Sequence, residues 1–401
     1  MSKSTAEQMR AWRGPAILSF GFRPMFLLAA LWAAVAMVLW IFLLTGLVDL
    51  PMHFDPVTWH AHEFLFGYVS AVIAGFLLTA VPNWTGRLPV VGWRLAALAV
   101  LWVIGRLAIL SSAALPVWIV TLCDLSFLTV LWAVILREII AGKNWRNLPV
   151  LALVGVLILS NAFFHFEAAR DGGAAHGMAL RLGFATVLSL VMLIGGKIIP
   201  SFTRNWLKKQ GATQLPTPPM QRFDKATIAL TLAIFAFWIT VPETELTGVG
   251  FLIMGALHFM RLSRWQPLAT GKEALVWVLH AAYSFIPLGA FVMAIATLAP
   301  DILPTAAALH IWSVGAIGLM TLAVMTRASL GHSGRDLHAG TGTTLAYGLL
   351  IASALGRLLA DLLPDVRMLV LDGAGAFWIV SFLLFAALYG PLLVKARQNS
   401  E

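Results

Sequence analysis

The chain of 401 residues is 60% hydrophobic and only 11% charged, and its mean hydropathy is +0.87. An average soluble domain carries about 25% charged residues, so this composition excludes a soluble globular protein. A single cysteine, Cys123, excludes an internal disulfide, a covalent C-x-x-C-H haem attachment and a cysteine-ligated iron–sulfur cluster.

Twelve apolar segments are long enough to cross a bilayer, which takes about 20 residues of α-helix. The connections between them are short, and no stretch is left that could fold as a soluble domain. The sequence therefore predicts an all-α polytopic membrane protein in which residues 1–401 form a single integral membrane domain. The predicted spans are 24–46, 59–82, 93–112, 114–136, 148–167, 174–199, 225–241, 246–262, 274–298, 304–326, 341–363 and 370–394.

The formal net charge of +9 reflects membrane topology. Most Lys and Arg residues lie at the two ends of the chain or in loops after even-numbered spans, whereas the opposite loops carry mainly Asp and Glu. The positive-inside rule then places both termini in the cytoplasm. The basic charge is therefore no sign of a nucleic-acid partner, and membrane lipid is the predicted surrounding. The first 16 residues, with Lys3, Arg10 and Arg13, do not resemble a cleavable signal, so we expect span 1 to direct insertion.

The ends of spans 2, 6 and 10 carry a weak internal repeat. In spans 2 and 6 a proline is followed by an aromatic residue, a threonine and an arginine. Thr85, Thr203 and Thr326 recur at intervals of 118 and 123 residues, and each interval covers four spans. The alternative is that this motif is a common way to end a helix at a membrane interface. As a repeat, it predicts three four-helix units at about 17–136, 148–262 and 274–394.

Seven histidines lie within the predicted spans or at their ends. An imidazole in hydrocarbon must find a partner, so ionisable residues in spans usually mark ion pathways, proton relays or bound groups. Since the chain has one cysteine, imidazole is the predicted ligand of any bound iron, copper or zinc. The candidates are His60, His62, His165, His176, His258, His280 and His310.

The segment WHAHE at residues 59–63 opens span 2. His60 and His62 point about 200° apart on a helix, so they cannot both face one metal ion. One of them is expected to face inward, and Glu63 is expected to hold the ring nitrogen that ligation does not use, as a supporting group or proton donor. A helix start that is wetted by lipid headgroups is the alternative.

Three further histidines lie near the predicted outer surface. His165 ends span 5 and His176 opens span 6, so both could bind one ion, although two solvated loop-edge residues are the alternative. His310 opens span 10 and, with His60 or His62, would complete a bis-histidine haem site.

A separate pair, His258 and His280, lies towards the predicted cytoplasmic halves of spans 8 and 9. These two residues would form a second site or a proton path. Packing against backbone carbonyls is the alternative.

Three arginines fall in the outer parts of spans 3, 6 and 11: Arg106, Arg181 and Arg357. A buried guanidinium needs a carboxylate, and Asp124 on span 4 can supply one to Arg106 across the span 3–4 hairpin. Arg181 and Arg357 have no evident protein partner. Haem propionates would supply one through bidentate hydrogen bonds, so all three arginines are candidate cofactor contacts.

Five segments give the chain a resemblance to the NnrS family of bacterial membrane proteins, over nearly its whole length. They are FRPMF at 22–26, WHAHE at 59–63, AGFLLTAVPNWTGR at 74–87, GGKIIPSFT at 195–203 and GLMTLAVMTRASLGH at 318–332.

The resemblance implies a haem- and copper-containing protein of the bacterial inner membrane that takes part in the response to nitric oxide, in denitrification and nitrosative-stress resistance. The haem would be b-type and non-covalent. Nitric oxide or a related small molecule would be the ligand, and turnover by a nitric oxide reductase-like oxidoreductase would need an unknown electron donor.

Twelve spans in three four-helix arcs are also similar to the catalytic subunit of haem–copper oxidases and nitric oxide reductases. Those proteins carry paired histidines on span 7 and two histidines on span 10. Here span 7 has none and span 10 has only His310. The likeness is therefore an analogy of architecture.

Three functions stay open on the sequence. The first is a redox protein that binds nitric oxide at haem iron, with or without copper. The second is a transporter for a metal or small solute, although the two-half symmetry of many transporters is not evident here. The third is a sensor or metal-delivery protein that holds haem without turnover.

Overall fold

A computed structural model describes residues 12–87, 89–171 and 173–396, the side chain of Asp171 excepted. Within these ranges the regular structure is helical and no strand is present. The basic residues Lys3, Arg10 and Arg397, on which the topology prediction partly depends, lie outside the described residues.

Twelve helices of the described chain are long and apolar enough to cross a membrane, which confirms the all-α multi-pass fold. The placement of both termini in the cytoplasm stays a prediction. The helices are α1 Phe22–Leu44, α2 Pro56–Thr85, α3 Trp93–Leu110, α4 Val117–Ala141, α5 Trp145–Arg170, α6 Met178–Lys209, α7 Arg222–Thr240, α8 Glu245–Ser263, α9 Ala274–Leu298, α10 Thr305–Ser333, α11 Thr341–Leu362 and α12 Pro364–Val394.

Two helices run well beyond the apolar segments that predict them. Helix α6 continues to Lys209 and α10 to Ser333, because an apolar run marks the part of a helix in hydrocarbon and not its last hydrogen bond. Pro82 and Pro200, which the sequence suggests as helix ends, lie inside α2 and α6. Membrane helices tolerate proline where neighbouring groups satisfy the freed carbonyl.

Two helices contain a π-helical segment directly after a histidine. In α2 the segment Glu63–Tyr68 follows His62, and in α10 the segment Ile311–Gly318 follows His310. Such segments are rare and frequently occur at functional sites. They place two of the predicted ligands at local irregularities of the backbone.

Contacts between residues divide the chain into two compact units. The first comprises residues 1–186, 328–336 and 385–401, and the second comprises 187–327 and 337–384. Helices α1 to α5 belong wholly to the first unit, and α7, α8, α9 and α11 to the second. The three four-helix units suggested by the repeat stay a prediction.

Small residues let helices of the first unit approach closely. A Cβ at Gly105 of α3 would lie 3.2 Å from the Cα of Asp124 on α4, and one at Gly75 of α2 would lie 2.5 Å from the Phe26 ring of α1. Close approach through glycine is typical of membrane helix pairs. The α3–α4 approach brings Arg106, the next residue of α3, beside Asp124.

Candidate metal centre

The first turns of α2 place His62 in the interior of the first unit. Asp55 caps the helix by accepting hydrogen bonds from the backbone N–H groups of Val57 and Thr58, at 2.9 and 3.0 Å, and Pro56 occupies the first turn. His62 therefore lies nearly two turns into α2, and it is 0% exposed.

Asp124 of α4 is the centre of a buried polar cluster. Its Oδ2 lies 3.1 Å from Nε2 of His62 and 3.0 Å from Nε2 of His165, and it accepts an amide hydrogen from Asn161 at 2.7 Å. Its Oδ1 accepts a hydrogen bond from Nη2 of Arg106. The structure thus contains the Arg106–Asp124 pair that the sequence suggests, and it adds two imidazoles to it.

Glu63 is the second carboxylate of this cluster. Its Oε1 accepts a hydrogen bond from Arg106 Nη1 at 2.6 Å and lies 3.1 Å from His62 Nδ1. Its Oε2 accepts the indole N–H of Trp32 at 2.8 Å. Glu63 therefore holds the His62 nitrogen that faces away from Asp124, which is the position that the sequence suggests for it.

The charges of the cluster can balance without any bound ion. His62 faces an oxygen acceptor with each ring nitrogen, so it donates to both only when both nitrogens carry hydrogen. In that form His62 and Arg106 carry two positive charges against the two negative charges of Glu63 and Asp124. Balance of this kind offsets much of the cost of burying charged groups.

Three atoms of the cluster converge as a ligand group. Nε2 of His62, Nε2 of His165 and a carboxylate oxygen of Asp124 lie within 4.8 Å of one another, and all three residues are buried. Bonds of about 2.0–2.1 Å at tetrahedral angles separate ligand atoms by about 3.3 Å. The distances from Asp124 Oδ2 to Nε2 of His62 and of His165, 3.1 and 3.0 Å, are close to this value. Two imidazoles and a carboxylate suit iron, copper or zinc, and these residues fit such an ion.

Phenyl rings enclose the two histidines of this group. The Phe54 ring lies 5.3 Å from the His62 ring and 5.5 Å from the His165 ring. The rings of Phe66 and Phe164 lie 5.4 and 5.6 Å from that of His62. An apolar shell limits water around such a group and strengthens electrostatic interactions within it.

The other outer histidines of the first unit do not join this ligand group. The His60 ring stacks on the Trp40 ring at 4.3 Å and 21°, so His60 and His62 do face different directions. His176 is exposed, whereas His165 is buried against Asp124. Among the described residues, the ligand group therefore contains His165 without His176.

His310 has a hydrogen bond that suits a metal ligand. Its Nδ1 lies 2.7 Å from the carbonyl oxygen of Ala306, one turn earlier on α10. A carbonyl is only an acceptor, so Nδ1 carries the hydrogen of this bond. This is the usual arrangement of ligating histidines.

The second unit contains another buried network, on α7, α8 and α9. Arg261 donates from Nε to Asp224 Oδ1 at 2.9 Å and from Nη1 to Tyr283 Oη at 2.7 Å. His258 lies 2.8 Å from Tyr283 Oη through Nδ1 and 3.0 Å from Thr231 Oγ1 through Nε2. Protein hydroxyls thus engage both nitrogens of His258, which supports a packing role.

His280 has a different partner from His258. Its Nε2 lies 2.8 Å from Thr203 Oγ1, and its buried Nδ1 has no hydrogen-bond partner in the described part of the chain. The two residues do not share a ligand group among the described residues. The partners are hydroxyl groups and not the backbone carbonyls that the sequence suggests for packing.

Two arginines have protein partners that were not predicted from the sequence. Arg357 donates to Asp361 Oδ2 at 2.6 Å, and Arg181 donates to the backbone oxygen of His176 at 2.8 Å. The expectation that they lack protein partners is therefore wrong. The first pair has the i,i+4 spacing that brings side chains together on a helix, and this spacing was visible in the sequence.

The convergence of His62, Asp124 and His165 was not predicted. Asn161 and His165 are four residues apart on α5, so their shared face could have been recognised. Nothing in the sequence indicates that this face turns towards α2 and α4.

A family model described as NnrS protein matches residues 16–397, which include all twelve helices and every residue of the cluster. The chain belongs to the NnrS family. No curated protein matches it. The family is known as metal-binding, and membership is consistent with a role in the response to nitric oxide. The metal-ligand group therefore lies in a multi-pass membrane protein whose family has a matching property.

Proposed function

We propose that the protein binds a transition metal through His62, Asp124 and His165 and that this centre binds nitric oxide in the bacterial inner membrane. The observation that carries the proposal is the convergence of two imidazole nitrogens and one carboxylate oxygen from three helices at a buried point. A metal ion with three protein ligands would supply an open position for a small molecule.

The surrounding residues hold these ligand atoms in place. Arg106 contacts both carboxylates of the cluster, and Glu63 orients the His62 ring through Nδ1. Such supporting contacts typically change metal affinity by about 10–100-fold. We propose copper as the ion, because the ligand atoms are nitrogen and oxygen and imidazole suits copper.

We further propose a b-type haem with His310 as an axial ligand. The hydrogen bond from His310 Nδ1 to the Ala306 carbonyl orients the ring, and the π-helical segment begins at the next residue. The participation of His60 or His62 in this haem site stays a prediction. Since Arg106, Arg181 and Arg357 all have protein partners, these three arginines do not by themselves argue for haem propionates.

The test is the optical spectrum and metal content of the purified protein, before and after addition of nitric oxide. We expect bound copper and a Soret band, with spectral changes on addition of nitric oxide. Nitrous oxide formation with an added electron donor would show turnover in addition to binding. A protein without metal, Soret band or response to nitric oxide would contradict the proposal.

Metal transport or delivery is the second candidate function. The cluster reaches charge balance without an ion, which suits a site that is occupied reversibly. Uptake of copper into vesicles, lost in Asp124→Asn, would favour this function. Absence of uptake by protein that retains copper would remove it.

A further inference from the structure

A small cavity adjoins the ligand group in the first unit. Its volume is about 30 Å³. One water needs about 10–15 Å³ by this measure, so the cavity has room for a molecule as small as a diatomic gas. The lining residues are His53, Phe54, Ser112, Val117, Val120, His165, Ala168 and Ala169.

The inner end of this cavity is a metal-ligand side chain. His165 lines the cavity and also lies 3.0 Å from Asp124 through Nε2. Val120, another lining residue, lies one turn before Asp124 on the same face of α4. The Phe54 ring contacts both the His62 and the His165 rings, so Phe54 and His165 connect the cavity wall to the ligand group.

The cavity wall favours an uncharged occupant. Ser112 Oγ accepts the backbone N–H of His53 at 2.8 Å, and His53 Nε2 lies 3.2 Å from the Leu115 carbonyl oxygen. These polar groups are therefore engaged by the loops that carry them. Among the described residues that line the cavity there is no carboxylate, so a cation that shed its water here would find no compensating charge from them.

We propose that this cavity is the entry chamber for an uncharged diatomic ligand, nitric oxide in the proposed function, and that its size limits which molecules reach the metal. The inference rests on that function. Val117 is 42% exposed and lines the outer part of the chamber, whereas Phe54 and His165 form its inner end.

The test blocks the outer part of the chamber with a bulky side chain. Val117→Trp places an indole there, and Val130→Trp is the matched control, because Val130 is 39% exposed on the same helix and does not line the chamber. Stopped-flow mixing should show nitric oxide association slowed by about tenfold or more in Val117→Trp alone, since entry would then require a conformational change. Metal content and the resting spectrum should match those of the wild type in both variants.

Failure of this inference differs from failure of the proposed function. A metal-loaded Val117→Trp protein that binds nitric oxide at the wild-type rate overturns the chamber alone. A wild-type protein that holds no metal overturns the proposed function and this inference with it. A His62→Ala variant that keeps its metal does the same.

A second arm uses the metal-free protein. Ala168→Cys in a Cys123→Ser background places a thiol on the chamber wall. The small neutral reagent methyl methanethiosulfonate should label this thiol about tenfold faster than a quaternary ammonium thiosulfonate, because only the charged reagent must lose hydration. Adding Val117→Trp should slow the neutral reagent, and Val130→Trp should not. Equal labelling by both reagents, or no effect of Val117→Trp, would overturn the proposal.

Discussion

At the residue scale, Asp124 of α4 contacts side chains from three other helices. One oxygen contacts His62, His165 and Asn161, and the other contacts Arg106. A carboxylate in this position should contribute both to metal binding and to the stability of the protein. Its loss would leave Arg106 with Glu63 as its remaining carboxylate partner in the cluster.

We predict that Asp124→Asn weakens copper binding and lowers the free energy of unfolding by about 3–5 kcal/mol, the usual cost of breaking a buried ion pair. Copper titration and denaturant unfolding in detergent measure the two effects. Glu138→Gln on the same helix is the control. It weakens pairs with Arg87 and Arg137, whose side chains are 43% and 62% exposed, so the loss should be about 1 kcal/mol per pair or less. Copper binding should not change in this control, and equal copper affinity in both variants would contradict the prediction.

The sequence indicated which residues carry the chemistry of the site, but it predicted few of the contacts between them. Histidines and acids inside spans indicated a site because their burial needs a partner. The Arg106–Asp124 pair followed from neighbouring helices of a hairpin. His62 and His165 are 103 positions apart, and their meeting depends on how helices pack, which no local pattern encodes.

At the scale of the element, the π-helical segment of α2 brings backbone close to the cluster. Gly67 lies in this segment, and its carbonyl oxygen accepts the indole N–H of Trp102 at 2.9 Å. A Cβ at Gly67 would overlap Arg106 Nη1 and lie 2.8 Å from Glu63 Oε2. Only glycine leaves room for both charged groups at this point.

Gly67→Ala should therefore weaken copper binding and lower the free energy of unfolding by about 1–3 kcal/mol, the usual cost of overpacking. Gly348→Ala on α11 is the control, because a Cβ there meets nothing within 4 Å. Removal of a helical glycine should leave stability equal or raise it by up to about 1 kcal/mol. Thermal unfolding and copper titration would show the contrast, and unchanged behaviour of Gly67→Ala would refute it.

The hydrogen-bond network of the second unit should contribute to the stability of the protein but not to copper binding. Tyr283→Phe removes the hydroxyl that contacts Arg261 and His258, so we expect a loss of about 2–3 kcal/mol. Tyr347→Phe removes a hydroxyl contact to Thr326 and should cost about 1 kcal/mol. Both tyrosines are 0% exposed, which makes the pair comparable. Loss of copper from Tyr283→Phe would show that the network does more than pack helices.

At the scale of the whole molecule, composition predicted the architecture because a bilayer imposes it. Apolar runs of span length must be helices, since hydrocarbon offers backbone groups no other partner. The continuation of α6 and α10 past their apolar runs was not predicted. The thickness of the membrane determines the length of an apolar run, whereas helix propensity determines where the helix ends.

The orientation of the molecule is a prediction from its basic loops. A fluorescent protein fused to the C-terminus should fold and fluoresce in the cytoplasm, and alkaline phosphatase fused after Asp301, in the α9–α10 connection, should be active outside it. The reverse pattern would place the cluster near the opposite face of the membrane.

Electron paramagnetic resonance of the protein loaded with one equivalent of Cu(II) tests the account most directly. We predict a single copper species with splittings from two imidazole nitrogens, and its loss in each of His62→Ala, Asp124→Asn and His165→Ala, while His176→Ala keeps it. An unchanged copper spectrum in those three variants would contradict the account.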